Sequence, residues 1–218
     1  QHDRVSYPNP NPQAMDILDH IPPSDDLEPG LYLVATPIGN LGDISVRALR
    51  TLRDCDLIFA EDTRHSSRLL NHYGIGTAVK SYHKFNEASR MTGLLDLLTS
   101  GRSVALISDA GTPGLNDPGS RAILGAVEAG FPVRLVPGPS AVSTAVVLSG
   151  WADQGFQFLG YAPPKSGRRD RQISEIAATA VTQVLFETPH RIIKWLTAAI
   201  PILKDRPICA VKELTKRF

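Results

Sequence analysis

Ser103-Val104-Ala105-Leu106-Ile107-Ser108-Asp109-Ala110-Gly111-Thr112-Pro113-Gly114 is the stretch on which the fold turns. Val104–Ile107 is an unbroken apolar run. Such a run fits a strand covered on both faces, as in a parallel sheet, better than the alternation of a half-solvated antiparallel strand. Directly after it the chain changes to Gly, Pro and small polar residues. Ligands of open parallel sheets bind beyond the carboxyl ends of the strands, so this change marks a candidate ligand loop.

The same pairing of strand and loop recurs on either side. Leu31–Thr36 reads as a strand ending in Thr36-Pro37-Ile38-Gly39-Asn40-Leu41-Gly42-Asp43. Asp56–Ala60 ends in Glu61-Asp62-Thr63-Arg64, and Val133–Val136 in Pro137-Gly138-Pro139-Ser140-Ala141. The strand at Ser103–Ser108 is followed further on by Asn116-Asp117-Pro118-Gly119. Helical periodicity fills the gaps at Ser45–Asp54, Thr63–His72, Glu87–Thr99, Pro118–Ala129 and Ser140–Leu148. Strands alternating with helices predict a doubly wound α/β domain.

Around Gly150–Gly155 the rhythm pauses and then restarts. The second segment predicts a strand at Phe156–Leu159, a helix near Asp170–Thr179 and a strand at Val181–Phe186. A helix from His190 and a last strand near Ile208–Leu214 follow. The expected organisation is a leader at 1–30, an N-terminal α/β domain at 31–152 and a C-terminal α/β domain at 153–218. The last is expected to be truncated, because its final strand runs almost into Phe218. The leader holds six prolines and six acids against one arginine. It is expected to be disordered or loosely docked, and it is too acidic for an intact transit peptide.

The net charge of +1 conceals an asymmetry: −5 over residues 1–30, zero over 31–154 and +6 over 155–218. A basic C-terminal segment suits a polyanionic partner or a solvated surface. No run approaches the ~18 apolar residues of a membrane helix. Cys55 and Cys209 form no CxxC or Cys/His cluster and are expected to be reduced, buried thiols. Neither GxGxxG nor GxxxxGK[ST] occurs at the first loop, and the histidines lack the spacing of a zinc pair, so no metal is expected.

Six ordered motifs carry a resemblance. Thr36–Ile44, Glu61–Arg64, Ser108–Pro113, Val136–Ala141, Glu187–Arg191 and Glu213–Lys216 resemble the ribosomal RNA small subunit methyltransferase I family of the tetrapyrrole methylase superfamily. The likeness runs from about Leu31 to Phe218. It implies two α/β domains of the tetrapyrrole methylase type with S-adenosyl-L-methionine in the cleft between them. It also implies transfer of the methyl group to the 2′-oxygen of a cytidine in small-subunit ribosomal RNA. The cofactor is expected at Thr36, Pro37, Ile38 and Gly39, at Asp109, Ala110, Gly111, Thr112 and Pro113, and at Pro137, Gly138, Ser140 and Ala141. Glu187 is expected to close the cleft.

A ribose hydroxyl is a poor nucleophile until its proton is leaving, so a general base is sought among Glu61, Asp62 and Glu187. The basic loop Lys165, Arg168, Arg169 and Arg171 is the RNA-contact candidate. Tyr82, Phe85, Trp151 and Trp195 read as core residues rather than base-stacking ones. The partner is small-subunit RNA or a 30S-type subunit, with no membrane, and a homodimer is left open. The compartment is a cytoplasm, or a chloroplast or other organelle with bacterial-type ribosomes. Three rivals stay open: a tetrapyrrole C-methyltransferase, a non-catalytic RNA-binding module and a nucleotide-dependent oxidoreductase.

Overall fold

In the computed structural model, which describes residues 18–22 and 27–216, the predicted rhythm becomes a five-stranded parallel sheet. Its elements are β1 (Gly30–Val34), α1 (Val46–Asp54), β2 (Leu57–Ala60), α2 (Thr63–His72), β3 (Val79–Ser81), α3 (Glu87–Thr99), β4 (Ser103–Ile107), α4 (Ser120–Glu128) and β5 (Val133–Val136). The strand order is β3-β2-β4-β1-β5. All four pairings are parallel, with Leu31 opposite Val104 and Val133, and Ile58 opposite Val79 and Ala105.

Every residue of β1, β2 and β4 is buried. Successive side chains of a strand point to opposite faces, so each strand feeds two cores. Tyr32, Val34, Ile58, Ala60, Ala105 and Ile107 pack with Leu49 and Leu52 of α1 and Leu69 and Leu70 of α2. Leu31, Leu33, Leu57, Phe59, Val104 and Leu106 pack with Leu94 and Leu98 of α3 and Ala122 and Ala126 of α4. The chain moves along the sheet one way from β1 to β3, then reverses to β4 and β5. Because strand–helix–strand crossovers are right-handed, reversal of direction moves the helices to the other face. That explains why α1 and α2 share one layer and α3 and α4 the other.

Local chemistry fixes the helix starts. Ser45 accepts a hydrogen bond from the Ala48 amide at 3.1 Å, and Asp62 from the Arg64 amide at 2.8 Å. Both are N-caps that satisfy otherwise orphaned donors.

The chain divides into two compact units between Pro139 and Ser140. The second unit holds α5 (Ala141–Ser149), β6 (Phe156–Tyr161), α6 (Ser166–Ala178), β7 (Thr182–Phe186) and α7 (Ile192–Leu203). Strands β6 and β7 are parallel, with a register shift between Phe158 and Tyr161. Ala162, Ile173, Ile176, Trp195, Ala199 and Leu203 form its core.

The structure corrects several expectations. Residues 208–214 form no strand and pair with none of the described strands. Arg206 instead ties the segment to α6 and β7 through the carbonyls of Ile176 at 2.7 Å and Val181 at 2.9 Å. Strand β3 is an addition to the expected set. It has three residues, only partly buried, at the sheet edge, and too few to show a pattern. Tyr82 and Trp195 are buried, but Phe85 is 94% exposed in the turn before α3, and Trp151 is exposed as well. Cys55 is buried, whereas Cys209 is exposed. Most of the leader lies outside the described residues. Ile21, however, is buried against the α1–α2 core, where Arg53 holds the carbonyls of Leu18 and Ile21.

Candidate active site

Four strand-end loops of the first unit meet beyond the carboxyl edge of the sheet. Just past β1, Thr36 forms an isolated antiparallel bridge with Gly111, through hydrogen bonds of 2.9 and 3.0 Å. Its hydroxyl donates to the Ser108 carbonyl at 3.1 Å. Gly111 takes a left-handed φ of +83°, which a side chain would strain. A Cβ there would lie 3.5 Å from Ile38 and 3.7 Å from the Pro139 carbonyl. Gly138 is close enough to Ala35 that its missing Cβ would stand 3.1 Å from the alanine methyl. The Asp109 carboxylate accepts from the Asp62 amide at 3.1 Å, joining the β2 loop to the β4 loop. Together these interactions make one backbone-lined rim from segments far apart in sequence.

Under the rim lies a cavity of about 40 Å³, lined among others by Thr36, Pro37, His65, Ser66, Ser108 and Asp109. Ser66 is buried, and its hydroxyl has no hydrogen-bond partner among the described residues. Buried polar groups are almost always partnered, so this hydroxyl is a donor and acceptor held ready for a guest or a water. A larger groove of about 370 Å³ runs between α3 and the short edge strand β3. It contains none of the strand-end loop residues, and it exists because three residues of edge strand cannot cover the flank of a 13-residue helix.

The three carboxylates expected from sequence fall into different environments. Asp62 caps α2 and pairs with Arg64 at 3.3 Å; those hydrogen bonds hold its carboxyl below the ordinary value. Glu187 lies in the second unit, 2.5 Å from Arg191, and accepts from the Thr188 amide at 2.8 Å. Arg191 in turn donates to the Ala162 carbonyl at 2.7 Å, so this pair clamps the turns at the ends of β6 and β7. Glu61, half-buried at the end of β2, has no ion-pair partner among the described residues. Burial, then the negative charges of Asp117 and Asp109, push its carboxyl above the ordinary value. Asp117 is raised as well, by burial and by Asp109 against a hydrogen bond from Ser108. In the sequence Asp117 reads only as part of a turn. Its nearness to Glu61 comes from the fold.

Ser140 and Ala141 open α5 in the second unit; Ser140 makes no side-chain cap, and its carbonyl accepts from Thr144 at 2.7 Å. At the start of α6, Lys165, Arg168 and Arg171 are exposed. Arg169 is buried and paired with Asp170 at 3.1 Å, so it is committed to structure. The buried positions Arg169, Ile173 and Ile176 fall at i, i+4 and i+7, the stripe that a helix turns inward. Among the described residues no group of three His, Cys, Asp or Glu side chains is placed to hold a metal ion.

A backbone-lined rim at the edge of a doubly wound sheet defines a small-molecule-binding α/β protein. The family model described as Tetrapyrrole (Corrin/Porphyrin) Methylases matches residues 30–218, and the chain belongs to that family. Within it, the chain is similar to proteins named ribosomal RNA small subunit methyltransferase I. It is 43% identical over 188 residues to the one from Halalkalibacterium halodurans, covering 86% of this chain and 65% of that protein. Identity to the one from Micromonospora olivasterospora is 46% over 186 residues, covering 85% and 59%. For the Vibrio cholerae protein it is 44% over 191 residues, covering 87% and 66%. The chain thus spans roughly 59–66% of the length of these curated relatives.

Proposed function

We propose that this chain carries the methyl-donor site of an S-adenosyl-L-methionine-dependent enzyme that methylates the ribose 2′-hydroxyl of a cytidine in small-subunit ribosomal RNA. The observation that carries the reading is the junction of the Thr36, Asp109 and Pro137 loops over a cavity lined in part by Thr36, Pro37 and Asp109, with the half-buried Glu61 held by a hydrogen bond from the Asp109 backbone. The three bacterial relatives supply the substrate class.

The chemistry of the rim suits this cofactor. Thr36–Gly39, Asp109–Pro113, Pro137 and Gly138 offer backbone donors and acceptors at close approach, and Asp109 offers a negative charge to a sulfonium. The 40 Å³ cavity takes only part of a nucleoside-sized molecule; Ser140, Ala141 and Glu187 are the second unit's candidates for the rest. When bound, S-adenosylmethionine supplies an electrophilic methyl group. What the chain adds is alignment and a proton acceptor. Of the three carboxylates, Glu61 is the base: Asp62 and Glu187 are held in ion pairs, whereas Glu61 has only a backbone hydrogen bond from Asp109, and a carboxyl raised by its surroundings is the stronger acceptor once ionised. The exposed Lys165, Arg168 and Arg171 provide phosphate contacts. Such an enzyme works wherever bacterial-type ribosomes are assembled.

Calorimetric titration with S-adenosylmethionine is the first test, and micromolar affinity, worth about −8 kcal/mol, is expected. Transfer of labelled methyl to small-subunit RNA, with the target linkage then resistant to alkali, completes it. Absence of cofactor binding, both here and in a chain extended to the relatives' length, overturns the reading. Methylation of a porphyrinoid instead of RNA overturns the substrate class.

A further inference from the structure

The two faces of the first unit's sheet carry different charge. On one, α1 has three arginines against one aspartate, and α2 has two arginines and two histidines against no acid. On the other, α3 has one arginine against two acids, and α4 one against one. Arg53 of α1 is consumed by Asp54 and by the carbonyls of Leu18 and Ile21. Arg47 and Arg68 are exposed and have no partner among the described residues. Arg50 keeps a buried, unpartnered Nε, and the Arg64 side chain, though paired with Asp62 at 3.3 Å, is 91% exposed. His65 and His72 extend the row along α2, and both are exposed.

The placement of this charge matters as much as its sign. In a parallel sheet the crossover helices run opposite to the strands, so α1 and α2 begin at the carboxyl edge where the candidate site lies. Arg47 and Arg64 therefore stand at the rim. Arg50 and Arg68 follow about one turn down, roughly 4.5–6 Å further along each axis. Helix α2 also lines the cavity with His65 and Ser66. One helix thus shows its inner side to the site and its outer cations to solvent.

We propose that the α1–α2 face is a further docking surface for the RNA substrate, in addition to Lys165, Arg168 and Arg171, its arginines gripping backbone phosphates so that the strand enters at the Thr36–Asp109 rim. This rests on the methyltransferase reading and adds where the polyanion lies. The α1–α2 face carries five arginines against one aspartate, whereas the α3–α4 face, with two arginines against three acids, is close to balanced. Phosphate contacts supply affinity and orientation, and the rim selects the nucleotide.

The test uses the full chain, a fluorescein-labelled single-stranded RNA oligonucleotide and anisotropy titrations over a range of salt. Each phosphate-gripping cation removed should flatten the slope of log K against log salt by roughly 0.7–0.9. The double variant Arg47→Gln/Arg68→Gln is expected to flatten it by roughly 1.4–1.8 and to weaken binding at least tenfold near 0.1 M salt. Arg47→Lys/Arg68→Lys should keep the slope, as should Arg90→Gln/Arg121→Gln on the opposite face. Thermal midpoints and cofactor affinity serve as checks on folding. An unchanged slope in Arg47→Gln/Arg68→Gln, or an equal loss in the opposite-face variant, overturns the proposal. If the wild-type chain still methylates RNA in that case, the enzymatic reading stands and only the surface falls. If the wild type neither binds nor methylates RNA, both fall together.

Discussion

Gly119 offers a direct test of how the β4 loop is held. It caps α4 with φ +139° and ψ −26°, and its amide donates to Glu87 at 2.9 Å. An added Cβ would lie 3.0 Å from the Leu106 Cδ2 and 3.3 Å from the Gly114 amide nitrogen. Leu106 is 1% exposed within β4, so it cannot swing aside. Alanine at this position takes on backbone strain of about 1–3 kcal/mol. Overpacking adds about 1–3 kcal/mol, partly shared with that strain as the loop shifts. The expected loss for Gly119→Ala is about 2–4 kcal/mol. With a urea m-value of about 1–3 kcal/mol/M, the midpoint should fall by roughly 1–2 M. Urea unfolding followed by far-UV circular dichroism reads this. Gly76→Ala is the control: Gly76 has no neighbour within 4 Å of its missing Cβ and no positive φ. It should be neutral, or stabilising by up to about 1 kcal/mol. A Gly119→Ala loss under about 0.5 kcal/mol, the scale of an ordinary surface change, would refute the account of this loop.

Further outcomes follow from the same structure. Gly93→Ala, in an open helix-interior position of α3, should stabilise by about 0.5–1 kcal/mol in the same urea experiment. Arg191→Ala strands the Glu187 carboxylate, whose side chain is 6% exposed, and should cost about 2–3 kcal/mol, discounted from a fully buried pair because Arg191 is a third exposed. In the native chain one thiol, Cys209, should react with a maleimide near pH 8. Cys55, pushed by burial to about 12, should react only after unfolding. Glu61 has a raised carboxyl pKa in the fold, so its stabilising contribution is complete below about pH 4 and is lost as pH rises through the raised folded value. Glu61→Gln should therefore raise the thermal midpoint at pH 7 and lose that advantage towards pH 4, while slowing methyl transfer roughly 10²–10⁴-fold. A midpoint lowered at pH 7 would show that the Glu61 charge is stabilised rather than strained.

What is legible in the sequence is whatever a local pattern encodes. The strands β1, β2 and β4 can be read because burial on both faces demands continuous apolar runs, and Val104–Ile107 is one, whereas the partly exposed edge strand β5 keeps an arginine at Arg134. Their helices can be read from periodicity and caps such as Ser45. Strand β3 and the segment at 208–214 defeat that reading from opposite sides. Val79-Lys80-Ser81 has almost no intrinsic signal and becomes a strand because β2 offers it a ladder. Residues 208–214 have a strand-like composition but join no ladder among the described strands. Strand formation is decided by the neighbour, and the neighbour is not local information.

The candidate site divides along the same line. Loops built from Gly, Pro and Asp can be found because backbone that must approach other backbone excludes side chains, and Gly111 and Gly138 meet that demand where three different loops converge. The roles of the charged residues cannot be read this way, since a carboxylate's chemistry is set by what the fold brings against it. Asp62, one residue from Glu61, is held low by its cap and by Arg64, whereas Glu61 is raised by burial and by Asp117, which is 56 positions away. Arg169 shows that some of the missing information is present in the sequence after all. Its spacing to Ile173 and Ile176 turns it into the core of the second unit, and reading the helical stripe before the charge removes it from the RNA-contact set. A basic run therefore has to be sorted by helix face before it is assigned to a partner. The same sorting, applied to α1 and α2, moves attention to arginines that no motif marks.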